Sequence, residues 1–128
     1  MRKRRHLSFG LIPRTVLESL KTKLQSRALR VYCVLTMYYS TEVDYQYETT
    51  SYKRPFIGHK RIANILGISK SQVKIDLKIL SNTFDEDDVP LVIIHNRFNE
   101  MENRYNSNVY ELPHVEAIIT NFNSKYEF

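Results

Sequence analysis

The stretch that most constrains the fold is residues 58–80, which read GHKRIANILGISKSQVKIDLKIL. Gly67 can end a first helix, because glycine adopts the left-handed backbone conformation at little cost. Ser69 is a favourable N-cap for a second helix. The apolar residues that fall on the inner faces of these two helices are Ile62, Ile65, Leu66, Val73, Leu77 and Leu80. The pattern predicts two amphipathic helices joined by a tight turn.

Three residues of this stretch lie at the spacing that a helix-turn-helix requires. Ala63 leaves room for the second helix, Gly67 makes the turn four residues later, and Val73 fills the space between the helices six residues after that. An ordinary pair of packed helices would tolerate the apolar pattern. It requires neither this alanine and glycine nor the lysines on the outer face, so the pattern favours DNA binding.

The positive charge of the chain is concentrated in two segments. Residues 2–5 are all basic, and residues 53–80 contain seven Lys or Arg and one acidic residue, Asp76. Residues 81–128 contain three basic and nine acidic residues. A basic segment of this kind is expected on a surface that meets phosphates.

The rest of the chain predicts an α+β fold. The other elements, in chain order, are a long buried helix over 24–39 capped by Ser26, a polar loop with at most a short strand over 40–55, an acidic loop containing FDEDD, two strands in LVIIHNRF and NSNVYEL, and a short amphipathic helix after Pro113. The order is helix, helix, tight turn, helix, hairpin and trailing helix.

Residues 58–80, followed by the two strands, resemble a bacterial winged helix-turn-helix domain. The closest likeness is to the domain at the front of Gram-positive plasmid replication initiators and phage replisome organisers, which also have stretches like FGLIPRTVL and LQSRALRVYCVL. The resemblance covers residues 9–112 and implies a three-helix core with a β-hairpin wing. Residues 1–8 would be a basic arm, and residues 113–128 a short C-terminal helix and tail.

The resemblance also implies that a recognition helix at about 69–80 reads double-stranded DNA. The residues that it assigns to DNA are Lys60, Arg61, Ser69, Lys70, Ser71, Gln72, Lys74, Lys78, Arg97, Asn103 and Arg104. Gln72 is the best candidate for reading a base, since a carboxamide pairs two ways with adenine. Salt bridges to Glu100 and Glu102 are an equal alternative for the wing residues. The basic arm is either a minor-groove contact or a disordered tail.

Three features depart from the family pattern. Asp76 stands where a small residue is usual. Ile75 and Ile79 fall opposite the core face, where packing under the wing or against a partner chain is favoured over contact with thymine methyl groups. The loop FDEDD would repel nearby phosphates, and we expect it to be a solvated loop.

The sequence argues against an enzyme and against bound metals or other cofactors. It has no phosphate-binding glycine loop, its four histidines lack metal-ligand spacing, and Cys33 lies alone in an apolar run. No membrane span is expected, and we predict a cytoplasmic, nucleoid-associated homodimer. The trailing helix is either the dimer element or a helix that packs on its own core. Regulation of transcription and an accessory role in replication or maintenance of a mobile element stay open, each with a possible protein partner. The competing class is a winged-helix module that docks a partner through its acidic C-terminal third.

Overall fold

The computed structural model describes residues 4–7, 12–44, 49–99, 101 and 104–125. Within them the chain is α+β, as predicted. The helices are α1 (Arg14–Ser19), α2 (Lys23–Met37), α3 (His59–Leu66), α4 (Lys70–Ser81) and α5 (Pro113–Lys125). The strands are β1 (Arg4–Leu7), β2 (Ser40–Asp44), β3 (Thr49–Lys53), β4 (Ile93–Asn99) and β5 (Arg104–Glu111).

Helix α2 begins earlier than the sequence suggested. Thr22, not Ser26, is its N-cap: the Thr22 hydroxyl accepts from the Gln25 backbone N–H at 3.1 Å. The Gln25 side chain in turn accepts from the Thr22 backbone N–H at 3.0 Å. This reciprocal pair satisfies two backbone donors of the first turn and fixes the start of the helix.

The tight turn between α3 and α4 has the predicted construction. Gly67 has a left-handed backbone with φ of 67°, and the Ile68 N–H donates to the Ala63 carbonyl at 3.0 Å. Ser69 caps α4 by accepting from the Gln72 N–H at 3.1 Å. Ala63 and Val73 are both buried where the two helices meet. The predicted turn at Gly67 and the predicted burial of Ala63 and Val73 are therefore confirmed.

Replacing Gly67 with alanine should destabilise the chain by about 1 kcal/mol, the cost of placing a side chain in the left-handed region. A Cβ atom at this position would meet no atom within 4 Å, so the cost is conformational and not steric. Denaturant unfolding of Gly67→Ala and Gly67→Asn measures it. Asparagine tolerates this conformation better, so Gly67→Asn should lose less. Equal losses would mean that the turn is not the source of the cost.

The core lies where α2 crosses α4 and meets the start of β4, the end of β5 and α5. Its fully buried side chains include Val31, Tyr32, Leu35, Val73, Leu77, Leu80, Leu91, Tyr110 and Leu112. Ile65, predicted to belong to it, is 47% exposed. The buried residues of α3 are Ile62 and Ala63. Around the helix Ile65 lies roughly 60° from Ile62 but roughly 160° from Ala63, so it falls at the edge of the buried face.

Two antiparallel sheets flank this core. Strands β4 and β5 form the predicted hairpin, and Phe56 makes an isolated bridge to Val109 on β5. The second sheet has the order β1–β2–β3, so residues 40–55, interpreted as a loop, supply two strands. Residues 4–7 of the basic arm form β1, in which Arg4 pairs with Asp44. A disordered tail is therefore wrong for these four residues, whereas a contact of the arm with DNA stays a prediction.

Helix α5 is held against β3 by a buried carboxylate. Glu116, 7% exposed, accepts two hydrogen bonds from the Arg54 guanidinium, each 3.0 Å long. It also accepts from the hydroxyl of Tyr52 at 2.8 Å and from the hydroxyl of Tyr39. The Tyr39 oxygen in turn accepts from the Leu112 backbone N–H at 2.8 Å. This Glu116 cluster joins α2, the second sheet and the trailing helix.

Candidate nucleic-acid interface

The outward face of α4 carries a row of cations. Lys70, Lys74 and Lys78 recur every four residues and are all exposed, as predicted. Like charges at this spacing on a helix repel each other and cost a few tenths of a kcal/mol per pair. This repulsion within the row opposes the stability of α4, whereas the row would suit a ligand with regularly spaced negative charges. Ser69 and Ser71 are exposed beside the first of these lysines.

The two isoleucines of α4 lie in different surroundings. Ile75 is 50% exposed within the lysine row. Ile79 is partly buried and packs against the core, so its predicted place opposite the core is wrong. Ile75 is thus a half-exposed apolar side chain on an otherwise polar face, and what its buried half contacts stays a prediction.

Gln72 is not directed freely outward with the lysines. It is half-buried, and its Nε2 donates to Asp76 Oδ1, one helical turn later, at 2.8 Å. Bidentate reading of adenine uses both the nitrogen and the oxygen of a carboxamide. Such reading by Gln72 would require this bond to break.

Asp76 is the acidic residue of the otherwise basic segment 53–80. Its carboxylate is 0% exposed and lies 3.5 Å from the Arg27 guanidinium and 3.8 Å from that of Arg30, both on α2. These distances are long for hydrogen bonds, so attraction between the charges provides most of the interaction. The single acidic residue of the basic segment is therefore neutralised by α2 and does not face a ligand.

The start of α3 presents two further predicted residues. Lys60 and Arg61 are exposed. The Arg61 guanidinium donates to the Tyr38 hydroxyl at 3.1 Å and lies 5.6 Å from the centre of its ring. The N-cap, Gly58, makes no side-chain cap, which leaves backbone N–H groups of the first turn for another acceptor.

A cleft of about 270 Å³, which we call the α4–hairpin cleft, separates α4 from the hairpin. Its lining comes from α3, α4, β4 and β5 and comprises His59, Lys74, Leu77, Lys78, Ser81, Ile94, Asn96 and Asn108. Among these described residues two are cationic and none is acidic. Sequence reasoning missed Ser81, Asn96 and Asn108. The alternation of Ile94 with Asn96 was a signal, since side chains two apart share one face of a strand.

The three predicted wing residues are placed only in part. Arg97 lies on β4 opposite Asn106, and Arg104 begins β5 opposite Asn99. Asn103 lies outside the described residues, as do Glu100 and Glu102, the alternative salt-bridge partners of the two arginines. The hairpin therefore places two arginines on adjacent strands, and their contacts stay a prediction.

The acidic loop is anchored at one residue. Asp85 Oδ1 accepts from the backbone N–H groups of Asp87 at 2.8 Å and Val89 at 2.9 Å. Its other oxygen lies 2.7 Å from His114 Nε2 on α5. The Val89 N–H, followed by His114, holds the pKa of Asp85 below its ordinary value. The expected solvated loop is correct for the exposed Glu86 and Asp87, but Asp85 has a structural role.

Comparison of the chain with protein-family models, with curated proteins and with solved structures found no match. Among the described residues, no helix combines the length and the apolar character needed to cross a bilayer. No group of three or more His, Cys, Asp or Glu in the same part of the chain is arranged to hold a metal ion.

Proposed function

We propose that this chain is a winged helix-turn-helix protein that binds a specific site on double-stranded DNA. In this proposal α4 is the recognition helix in the major groove, and the β4–β5 hairpin is the wing. The observation that carries it is the exposed lysine row of α4 beside the α4–hairpin cleft. Both present cations, and none of their described residues is acidic.

The connections between the elements support the same proposal. The Tyr110 N–H donates to the Pro55 carbonyl at 3.0 Å, and Phe56 bridges to Val109. The chain entering α3 therefore runs beside the hairpin and fixes it next to α3 and α4. A wing must be rigidly placed relative to the recognition helix if both are to reach one duplex.

Sequence preference in this proposal comes from several groups. Lys70, Ser71 and Lys74 reach base edges or adjacent phosphates near the start of α4. Ile75 offers an apolar surface to a thymine methyl group. Lys60 and the open first turn of α3 hold a phosphate.

Alanine at Lys74 or Lys78 should weaken duplex binding several-fold and lower the salt slope by about one each. Each lysine replaces a counterion at one phosphate, so its loss removes one released ion. Fluorescence anisotropy with a labelled mixed-sequence duplex, repeated over a salt series, measures both quantities. Lys23→Ala is the matched control, because Lys23 is an exposed lysine of α2 outside the proposed interface. An equal effect of Lys23→Ala would contradict the assignment of the face.

A chain that binds no duplex at moderate salt would overturn the proposal and favour a docking module. No described contact favours that second function. The apolar face of α5 is used within its own core, where Val115 and Ile119 are buried. This leaves Ile118, 41% exposed, as an apolar residue of α5 for a partner or a second copy.

The biological role is proposed as regulation of transcription, or an accessory role in replication or maintenance of a plasmid, phage or other mobile element. A dimer would read two half-sites and so raise specificity. Capture of genomic fragments at about physiological salt, followed by sequencing, tests both parts. A repeated site beside the chain's own gene indicates a regulator, and a site in an origin indicates replication. Fragments without a shared sequence would contradict specific reading.

A further inference from the structure

His59 lines the α4–hairpin cleft, and binding of a ligand by the lysine row alone would not require a histidine there. It is the first residue of α3, is half-buried, and is the only titratable side chain of the lining besides Lys74 and Lys78. We infer that this cleft binds one phosphate of the DNA backbone and that His59 gains a proton as the phosphate enters. The inference rests on the proposed function and adds to it a defined phosphate site and the uptake of one proton by His59.

The chemistry of the lining suits a phosphate. Lys74 and Lys78 supply charge, whereas Ser81, Asn96 and Asn108 supply neutral donors around the same space. Leu77 and Ile94 add apolar surface to the cleft, which increases the strength of charge interactions there. A water occupies roughly 30 Å³ in the liquid, so about 270 Å³ holds a phosphate with part of its water shell.

The surroundings of His59 keep it neutral in the free protein. Burial, and then the positive charges of Lys74 and Lys70, lower its pKa below the ordinary value. Lys78 lines the cleft from the same helix, and the hairpin presents the neutral Asn96 and Asn108 to it. His95 and Glu111 lie 2.9 Å apart, and His95 is not one of the described residues that line the cleft.

A phosphate in the cleft reverses this balance. Its negative charge offsets the lysines and accepts a hydrogen bond from an imidazolium, so the pKa of His59 is higher in the complex than in the free protein. The complex then holds one more proton than its separated parts. Affinity must therefore rise as the pH falls between the two pKa values, by at most tenfold per pH unit for one proton.

The test measures affinity for a labelled mixed-sequence duplex between about pH 6 and about pH 8 at constant ionic strength. Wild-type protein should bind several-fold more tightly at the lower pH. His59→Gln, which keeps a polar side chain but cannot gain a proton, should lose this dependence on pH. His95→Gln is the control and should keep the wild-type profile.

A measurement on the unmodified protein keeps the test independent of any variant. The His59 ring protons, followed by NMR during a pH titration, should show a higher pKa with the duplex than without it. A flat wild-type profile with an unchanged His59 titration would overturn the inference but leave duplex binding intact. Absence of duplex binding at every pH would instead overturn the proposed function itself.

Discussion

Replacing Glu116 with alanine is expected to lower the free energy of unfolding by about 3 kcal/mol, the lower end of the range for removing one member of a buried ion pair, because Arg54 is more than a third exposed and also lies 3.4 Å from Glu111. The variant removes the carboxylate that accepts two hydrogen bonds from the Arg54 guanidinium. The same carboxylate is the acceptor of the Tyr39 and Tyr52 hydroxyls. Glu116 also lies in the first turn of α5, where a negative charge is favourable. Urea unfolding followed by circular dichroism measures the loss.

Two other substitutions serve as controls for this result. Glu18→Ala removes an exposed glutamate that pairs with Arg14, and it should change stability by at most about 0.5 kcal/mol. Tyr52→Phe removes one hydrogen bond of the Glu116 cluster and should cost about 1 kcal/mol. A Glu116→Ala loss no larger than that of Glu18→Ala would contradict a stabilising role for the cluster.

The same carboxylate makes the stability depend on pH. Burial would raise the pKa of Glu116, but hydrogen bonds from Arg54, Tyr39 and Tyr52 outweigh burial and lower it. Because the folded pKa is the lower one, the contribution is fully present above the unfolded value of about 4.3. It is lost as the pH falls through the folded value. The stability difference between wild type and Glu116→Ala should therefore shrink in acid, and a constant difference would contradict an ionised Glu116.

Replacing Asp76 with alanine is expected to cost about 3 kcal/mol, the lower end of the range for a buried ion pair. The variant removes the charge that Arg27 and Arg30 face and the acceptor of the Gln72 amide. Both arginines are more than a third exposed, so water can replace part of the lost interaction, which places the cost at the lower end. Denaturant unfolding gives the value.

Asp87→Ala is the matched control, because Asp87 is an exposed aspartate of the acidic loop. Its effect should stay within about 0.5 kcal/mol. Asp76→Asn keeps an oxygen that can accept from Gln72 but removes the charge. Its loss of stability should therefore fall between those of Asp76→Ala and Asp87→Ala. If Asp76→Asn were as stable as wild type, the arginines would contribute nothing, and only the Gln72 bond would matter.

The sequence by itself determined the features that depend on neighbours along the chain. The turn at Gly67 follows from one backbone preference, and the Ser69 cap follows from a hydroxyl near free N–H groups. The lysine row follows from helical spacing once the apolar face of α4 is known. The hairpin was also predictable, because β-branched and aromatic residues flank a polar turn.

Tertiary structure alone decided which polar groups find partners from distant parts of the chain. Asp76 looked like an interruption of the recognition face until α2 brought two arginines to it across 49 and 46 positions of the chain. The same carboxylate turned Gln72 inward. The first strand was equally hidden, since β1 pairs with a segment almost 40 residues away. The α4–hairpin cleft is of this kind too, because its histidine, lysines and asparagines come from four elements. Contacts between distant residues depend on how whole elements pack, and no local pattern in the sequence carries that information.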